Sequence, residues 1–200
     1  AQGRAVHAVD DRRPSRRQFE RLLRRNRAWL GDEAVREPAS FLMGDTPIRL
    51  MQFGAQPSSD LERILDELIA GNVDHPSREL MWGAPGTLLA ALFLHERTGD
   101  ARWAERFRAT AHQLWTQLEW SERHQCAYWT QQLYGWRCRY LDAVHGFVGT
   151  ALPLIRGRHL LDPAAWTAWQ RCIVETVRRT CDRAGTQANW RPELDDAHDA

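Results

Sequence analysis

Two hundred residues, 43% of them hydrophobic and ten of them tryptophan, supply one sizeable core and exclude a disordered chain. The 27 basic and 26 acidic residues leave a formal charge of +1, which gives no electrostatic reason to expect nucleic acid or an acidic membrane as partner. Every basic residue is arginine, as a G- and C-rich coding sequence would produce, so a lysine nucleophile or Schiff base is excluded.

Residues 1–13 read as a polar lead-in carrying three arginines, with neither an initiator methionine nor a signal-peptide pattern, and the chain is expected to be a fragment. Pro14-Ser15 opens a helical pattern in which Ser15 and Gln18 can form a capping box, with Phe19, Leu22, Leu23 and Leu30 as its narrow apolar stripe. The arginines around that stripe are expected to form a solvated outer face. After Gly44-Asp45-Thr46-Pro47, Ile48–Phe53 is expected to make one or two helical turns. Ser59 and Glu62 then offer a second capping box. Leu61, Ile64, Leu65, Leu68 and Ile69 follow on one helical face, and Gly71-Asn72 ends it.

Thr87–Leu94 is apolar around its whole circumference and should be buried on all sides. Its core, Leu88–Leu94, is far shorter than the about 20 residues that cross a bilayer. Thr98-Gly99-Asp100 marks a turn. Trp103, Phe107, Ala111, Leu114, Trp115 and Leu118 give the next helix a single apolar face. Residues 121–143 are rich in Trp and Tyr and leave room for strand or irregular structure. Phe147–Ile155 is again apolar, with Pro153 predicting a kink or an early helix end. Asp162-Pro163 pairs an N-cap with a first-turn proline, ahead of Trp166, Trp169, Ile173 and Val177 on one face.

The four cysteines, at 126, 138, 172 and 181, include no CxxC pair. On one continuous helix Cys172 and Cys181 would face opposite ways, so reduced thiols in a cytoplasmic protein are expected. His124, Cys126 and Cys138 are the only local set that could mimic a zinc site, but H-x-C…C matches no usual zinc spacing.

Three glycine turns punctuate this pattern: Gly44-Asp45-Thr46-Pro47, Trp82-Gly83-Ala84-Pro85-Gly86 and His145-Gly146-Phe147-Val148-Gly149. Glycine suits such a turn by tolerating positive φ and by letting backbones approach closely. The turns lie 39 and then 63 residues apart, too irregular for a short-period solenoid. A wrapped helix followed by a helix with one wet face, repeated, predicts stacked helical hairpins: an all-α fold, an α/α toroid of which residues 1–200 form an incomplete part.

The residues Glu79–Thr87, Leu133-Tyr134-Gly135 and Tyr140–Gly149 resemble the lanthionine synthetase C-like family, the LanC cyclases and their relatives. The resemblance runs from Glu79 to about Gly157, and more loosely from Phe41 to Gly44. It implies an α/α toroid with a central zinc that binds a cysteine thiolate, which adds to dehydroalanine or dehydrobutyrine to form a thioether ring. His145 matches the family's active-site histidine. Glu79 stands where the family often has aspartate, so catalytic roles are expected for His145 and Glu79. The zinc ligands of the family come from a later Cys and a Cys-His-Gly, which does not occur here. Zinc is therefore expected in a longer protein, with no metal ligand in this stretch.

Trp82, Trp129, Tyr134 and Tyr140 are candidates to line a peptide groove, or else pack as rim and core aromatics. The partners implied are a peptide with dehydroamino acids, or glutathione with a modified protein; no nucleic acid and no membrane span are expected. Two other readings stand beside this one. One is a non-catalytic toroid that binds peptide or glutathione. The other is a carbohydrate-active toroid, for which Glu79 with Asp142 is the only candidate carboxylate pair.

Overall fold

A computed structural model describes residues 14–195; the expected polar lead-in, residues 1–13, lies outside the described residues. The fold is mainly helical. Its α-helices are α1 (Arg16–Leu30), α2 (Glu33–Arg36), α3 (Thr46–Ala55), α4 (Ser59–Gly71), α5 (Ala84–Thr98), α6 (Ala101–Thr116), α7 (Phe147–Arg156) and α8 (Pro163–Arg179), with one 3-10 turn at Arg158–Leu160. Among the described residues three antiparallel hairpins accompany them: β1 (Glu119–Ser121) with β2 (Cys126–Tyr128), β3 (Gln131–Leu133) with β4 (Trp136–Cys138), and β5 (Cys181–Ala184) with β6 (Gln187–Trp190). The helical expectation stands in its coarse form, with small hairpins added to it. Residues 119–138 and 181–190 are too short and too broken by turns to bury a helical face; Gly135 at φ 84° and Gly185 at φ 61° close two of the hairpins in the left-handed region. Cys181 belongs to β5 rather than to the helix of Cys172, so the premise of one continuous helix fails.

Short connections make helix pairs of α3–α4, α5–α6 and α7–α8, and α3, α5 and α7 form a row in which each packs on the next. α5 sits at the centre and also touches α4 and α6. Leu88, Leu89, Ala90, Ala91, Leu92 and Leu94 are all buried, as an all-round apolar helix requires. α7 is different: Val148, Leu152 and Ile155 are 43%, 45% and 41% exposed, an apolar strip on one side of the end helix of the row.

Local signals hold at most helix ends. The Ser15 backbone N–H donates to the Gln18 side chain at 2.6 Å. Asp162 caps α8, accepting from Ala164 and Ala165, and Gly99 ends α5 in the left-handed conformation at φ 70°. The α4 cap is Ser58 rather than Ser59, and its hydroxyl accepts from Leu61 N. Two adjacent serines are equally competent caps, and the burial of Leu61 and Leu65 selects the register. Pro153 neither ends nor shortens α7, which runs on to Arg156 with Pro153 and Leu154 buried. Tertiary packing outweighs the lost backbone bond there.

An aromatic ladder ties the irregular segment into the core. Trp129 stacks on Phe147 at 5.0 Å and lies 6.0 Å from Trp169, which meets Trp115 edge to face at 4.9 Å. The Trp129 indole N–H donates to the Leu114 carbonyl at 2.9 Å, satisfying the one polar atom of a side chain that is 1% exposed.

Candidate functional site

Each helix of the α3–α5–α7 row is entered through the same turn. Four residues before its glycine stand Ser40, Glu79 and Asp142, and each side chain accepts the N–H of the residue just before that glycine. The distances are 3.1 Å from Met43 N to Ser40 Oγ, 2.5 Å from Trp82 N to Glu79 Oε1 and 2.8 Å from His145 N to Asp142 Oδ1. The glycines answer to space rather than to φ. Gly83 and Gly146 have φ of −94° and −107°, open to any residue. A Cβ at Gly83 would lie 2.7 Å from Ser77 Oγ, and one at Gly146 would overlap the Asp142 amide. The turns are also stitched to one another. Ser40 Oγ donates to Met81 O at 2.7 Å, Leu42 N donates to the same carbonyl at 3.3 Å, and Leu80 N donates to Val144 O at 3.2 Å.

Within this repeat Glu79 is the longest of the three side chains, and its extra reach has a use. Oε2 accepts from Met81 N at 2.8 Å and also meets His145 Nδ1 at 3.0 Å. The Glu79 side chain is 0% exposed and that of His145 is 25% exposed, so the carboxylate is sealed beneath a ring that still reaches solvent. In the neutral tautomer whose Nδ1–H donates to this oxygen, the far nitrogen Nε2 carries the imidazole lone pair. Two tyrosine rings flank the imidazole, Tyr134 at 6.2 Å and Tyr140 at 6.1 Å, and Trp82 Nε1 donates to the Tyr134 hydroxyl at 3.1 Å. The residues anticipated at the site, Glu79, His145, Trp82, Tyr134 and Tyr140, thus form one contiguous cluster. The Tyr140 phenol is raised above its ordinary value, first by the neighbouring Cys138 and then by burial.

Beside the cluster lies an open cleft of 250 Å³, with Trp82 and Tyr134 on its wall and Glu37, His75 and Ser77 lining it as well. His75 Nε2 meets Glu37 Oε2 at 2.6 Å, and its Nδ1 meets Ser77 Oγ at 2.8 Å. Sequence reasoning missed this second histidine–carboxylate pair. Glu37 follows α2, and only the packing of that short helix brings it to His75; no local spacing signals it. Roomier clefts of 440 and 510 Å³ lie elsewhere, around Trp115 and Ala168 between α6 and α8.

Other anticipated residues fall outside the cluster. Trp129 is a core residue, not a groove aromatic, because it is the middle rung of the aromatic ladder. Asp142 spends its carboxylate on the amides of Val144 and His145, and Glu79 on those of Met81 and Trp82; each holds its own turn.

His124, Cys126 and Cys138 do not assemble as ligands: among the described residues no group of three or more His, Cys, Asp or Glu is placed to hold a metal ion. The His124 ring meets Asp195 O at 3.0 Å, and Cys138 donates to Gln131 O. Burial pushes the Cys138 thiol up, and the Cys172 thiol is pushed up to about 12 for the same reason, which keeps both protonated. These three residues therefore do not form a zinc site; the ligands that the resemblance implies belong to a Cys and a Cys-His-Gly that do not occur in this sequence.

No helix among the described residues is long and apolar enough to cross a membrane. Comparison with protein-family models, with curated proteins and with solved structures returns no match.

Proposed function

We propose that this chain is part of a LanC-like α/α toroid that adds a thiol to dehydroalanine or dehydrobutyrine in a peptide, and that His145 handles the proton. What supports the toroid is the row α3–α5–α7, each helix entered through an equivalent turn and each followed by a second helix. The observation that carries the chemistry is the buried Glu79 beneath His145. It orients the imidazole through Nδ1 and leaves Nε2 outside that bond, on a partly exposed ring flanked by Tyr134 and Tyr140.

In the reaction the thiol sulfur forms a bond to the β-carbon of the dehydroamino acid, and the π electrons move onto the carbonyl as an enolate. Nε2 takes the thiol proton and returns it to the α-carbon, so no other reactant is consumed. Tyr140, whose ring lies 6.1 Å from that of His145, is assigned the hydrogen bond to the enolate oxygen as charge develops there. The zinc of the family has no ligands among the described residues, and only proton transfer and positioning are assigned here.

The test uses the intact protein with a cysteine-bearing dehydroalanine peptide, and counts the remaining thiols by maleimide mass shift. His145→Asn lowers turnover by about 10²- to 10⁴-fold, the ordinary worth of a positioned acid–base group. Unchanged turnover removes His145 from the mechanism. Peptide binding with no thiol consumption by the unaltered protein overturns catalysis in favour of a binding toroid, for which the cleft walled by Trp82 and Tyr134 would suffice.

A further inference from the structure

We propose that the outward face of α1 docks on an anionic membrane surface. The net charge of +1 conceals a strong segregation. Residues 1–30 hold nine arginines against three acids, a charge of +6, while the remaining chain holds 18 against 23, a charge of −5. Within α1, Arg17, Arg21, Arg24 and Arg25 recur at i, i+4, i+7 and i+8, which places them on one face, and all four are exposed. None of the four has an acidic partner among the described residues. The one acid of the helix, Glu20, pairs instead with Arg49 at 2.9 Å, and Arg27 is engaged by Asp45.

Two features favour a lipid surface over a nucleic acid. The first is apolar surface beside the arginines: Leu22 and Trp29, seven residues apart on the adjoining flank, are 43% and 71% exposed, and Val35 on α2 is 84% exposed. Tryptophan beside arginine suits the boundary between headgroups and acyl chains, where the indole is half buried and the guanidinium meets phosphate. The second is shape. Phe19 and Leu23 seat α1 on α3, so the arginines lie on the opposite, exposed side of the helix rather than in a groove able to wrap a strand. A cluster of four basic residues on an amphipathic helix reaches the range at which anionic lipid is bound. This inference is independent of the role given to His145.

The experiment is co-sedimentation of the full chain with phosphatidylcholine–phosphatidylserine vesicles, with pure phosphatidylcholine vesicles, and a parallel titration with duplex DNA, each at low and high salt. The expected result is binding to the mixed vesicles alone, weakened by salt. Replacing Arg17, Arg21, Arg24 and Arg25 together by glutamine should weaken it by roughly 10²- to 10³-fold, from about a fivefold step per arginine. Trp29→Ser should weaken it further without changing the salt dependence. All five side chains are exposed, so neither variant threatens the fold, and unchanged far-UV circular dichroism checks this. No binding to mixed vesicles, equal binding to neutral ones, indifference to either variant, or tighter binding to DNA would each overturn the proposal.

Discussion

Shortening Glu79 to aspartate separates its two jobs. The Asp142 turn shows that the shorter carboxylate suffices for the backbone: Asp142 Oδ1 accepts from Val144 N at 2.7 Å and from His145 N at 2.8 Å. Glu79→Asp should therefore keep the bonds to Met81 and Trp82 and lose only the 3.0 Å contact to His145. A hydrogen bond to a charged group is worth about 1.5–3 kcal/mol, and the low end applies because the ring can turn to water. One methylene removed from a fully buried position adds about 1 kcal/mol. The sum is about 2.5 kcal/mol, or a Tm lower by roughly 5–10 °C at this chain length. Glu79→Ala loses the same contacts and also orphans the amides of Met81 and Trp82, at about 1 kcal/mol each for such part-buried groups. Urea unfolding of the three proteins, read at a shared slope, gives the comparison. The reasoning is refuted if aspartate is as costly as alanine. It is refuted equally if ¹⁵N shifts of the His145 ring do not change in the aspartate variant.

Two further predictions concern the frame around the site. Gly157→Ala should destabilise by about 1–3 kcal/mol although its φ of −88° admits alanine, because the added methyl would press into the Phe107 ring, itself 0% exposed; a stabilised or neutral variant in urea would show that the ring yields. Asp66 binds Arg106 through two bonds of 2.7 Å between α4 and α6, and that partner holds its carboxyl below the ordinary value. A carboxylate with a depressed value lends stability above its ordinary value and loses it as pH falls through the depressed one. Asp66→Asn should thus cost less than about 1 kcal/mol at neutral pH, since both side chains are partly exposed. The difference from the unaltered protein should vanish in acid below the carboxylate range; a difference that persists there would assign it to packing rather than charge.

What was legible in the sequence was legible for local reasons. Asp162-Pro163, Asp100 and Gly99 act within one turn of themselves, so their spacing declares them. Leu88–Leu94 announces its burial because no polar side chain interrupts it. The cluster around His145 could be assembled because its members sit on or beside the repeated turn, a motif visible as text. What stayed hidden depends on distant packing. The strands are three or four residues long, too short for alternation to show. The His75–Glu37 pair exists because α2 packs beside the Pro76 loop, and Trp129 became core because α6, α7 and α8 close around it. Which side of α7 is exposed was hidden for the same reason: composition cannot tell the middle helix of a row from the last one.

The aromatic ladder has a kinetic consequence. Its rungs come from α6, from the loop between two hairpins, from α7 and from α8, so no rung is local in sequence. The α5–α6 pair can form from neighbouring residues as soon as both helices exist, but Phe147 lacks its stacking partner, and Trp169 one of its two, until the hairpins have delivered Trp129 between them. Closing those long loops costs entropy before any contact returns it, and such closures are late and slow. The small hairpins, marginal alone, thereby act as the gate of folding: residues 119–138 must be in place before the last helix pair can seal the core, and until then the apolar side of α6 waits in water. Tryptophan fluorescence would report that wait as a slow phase, arriving after the helices have already formed.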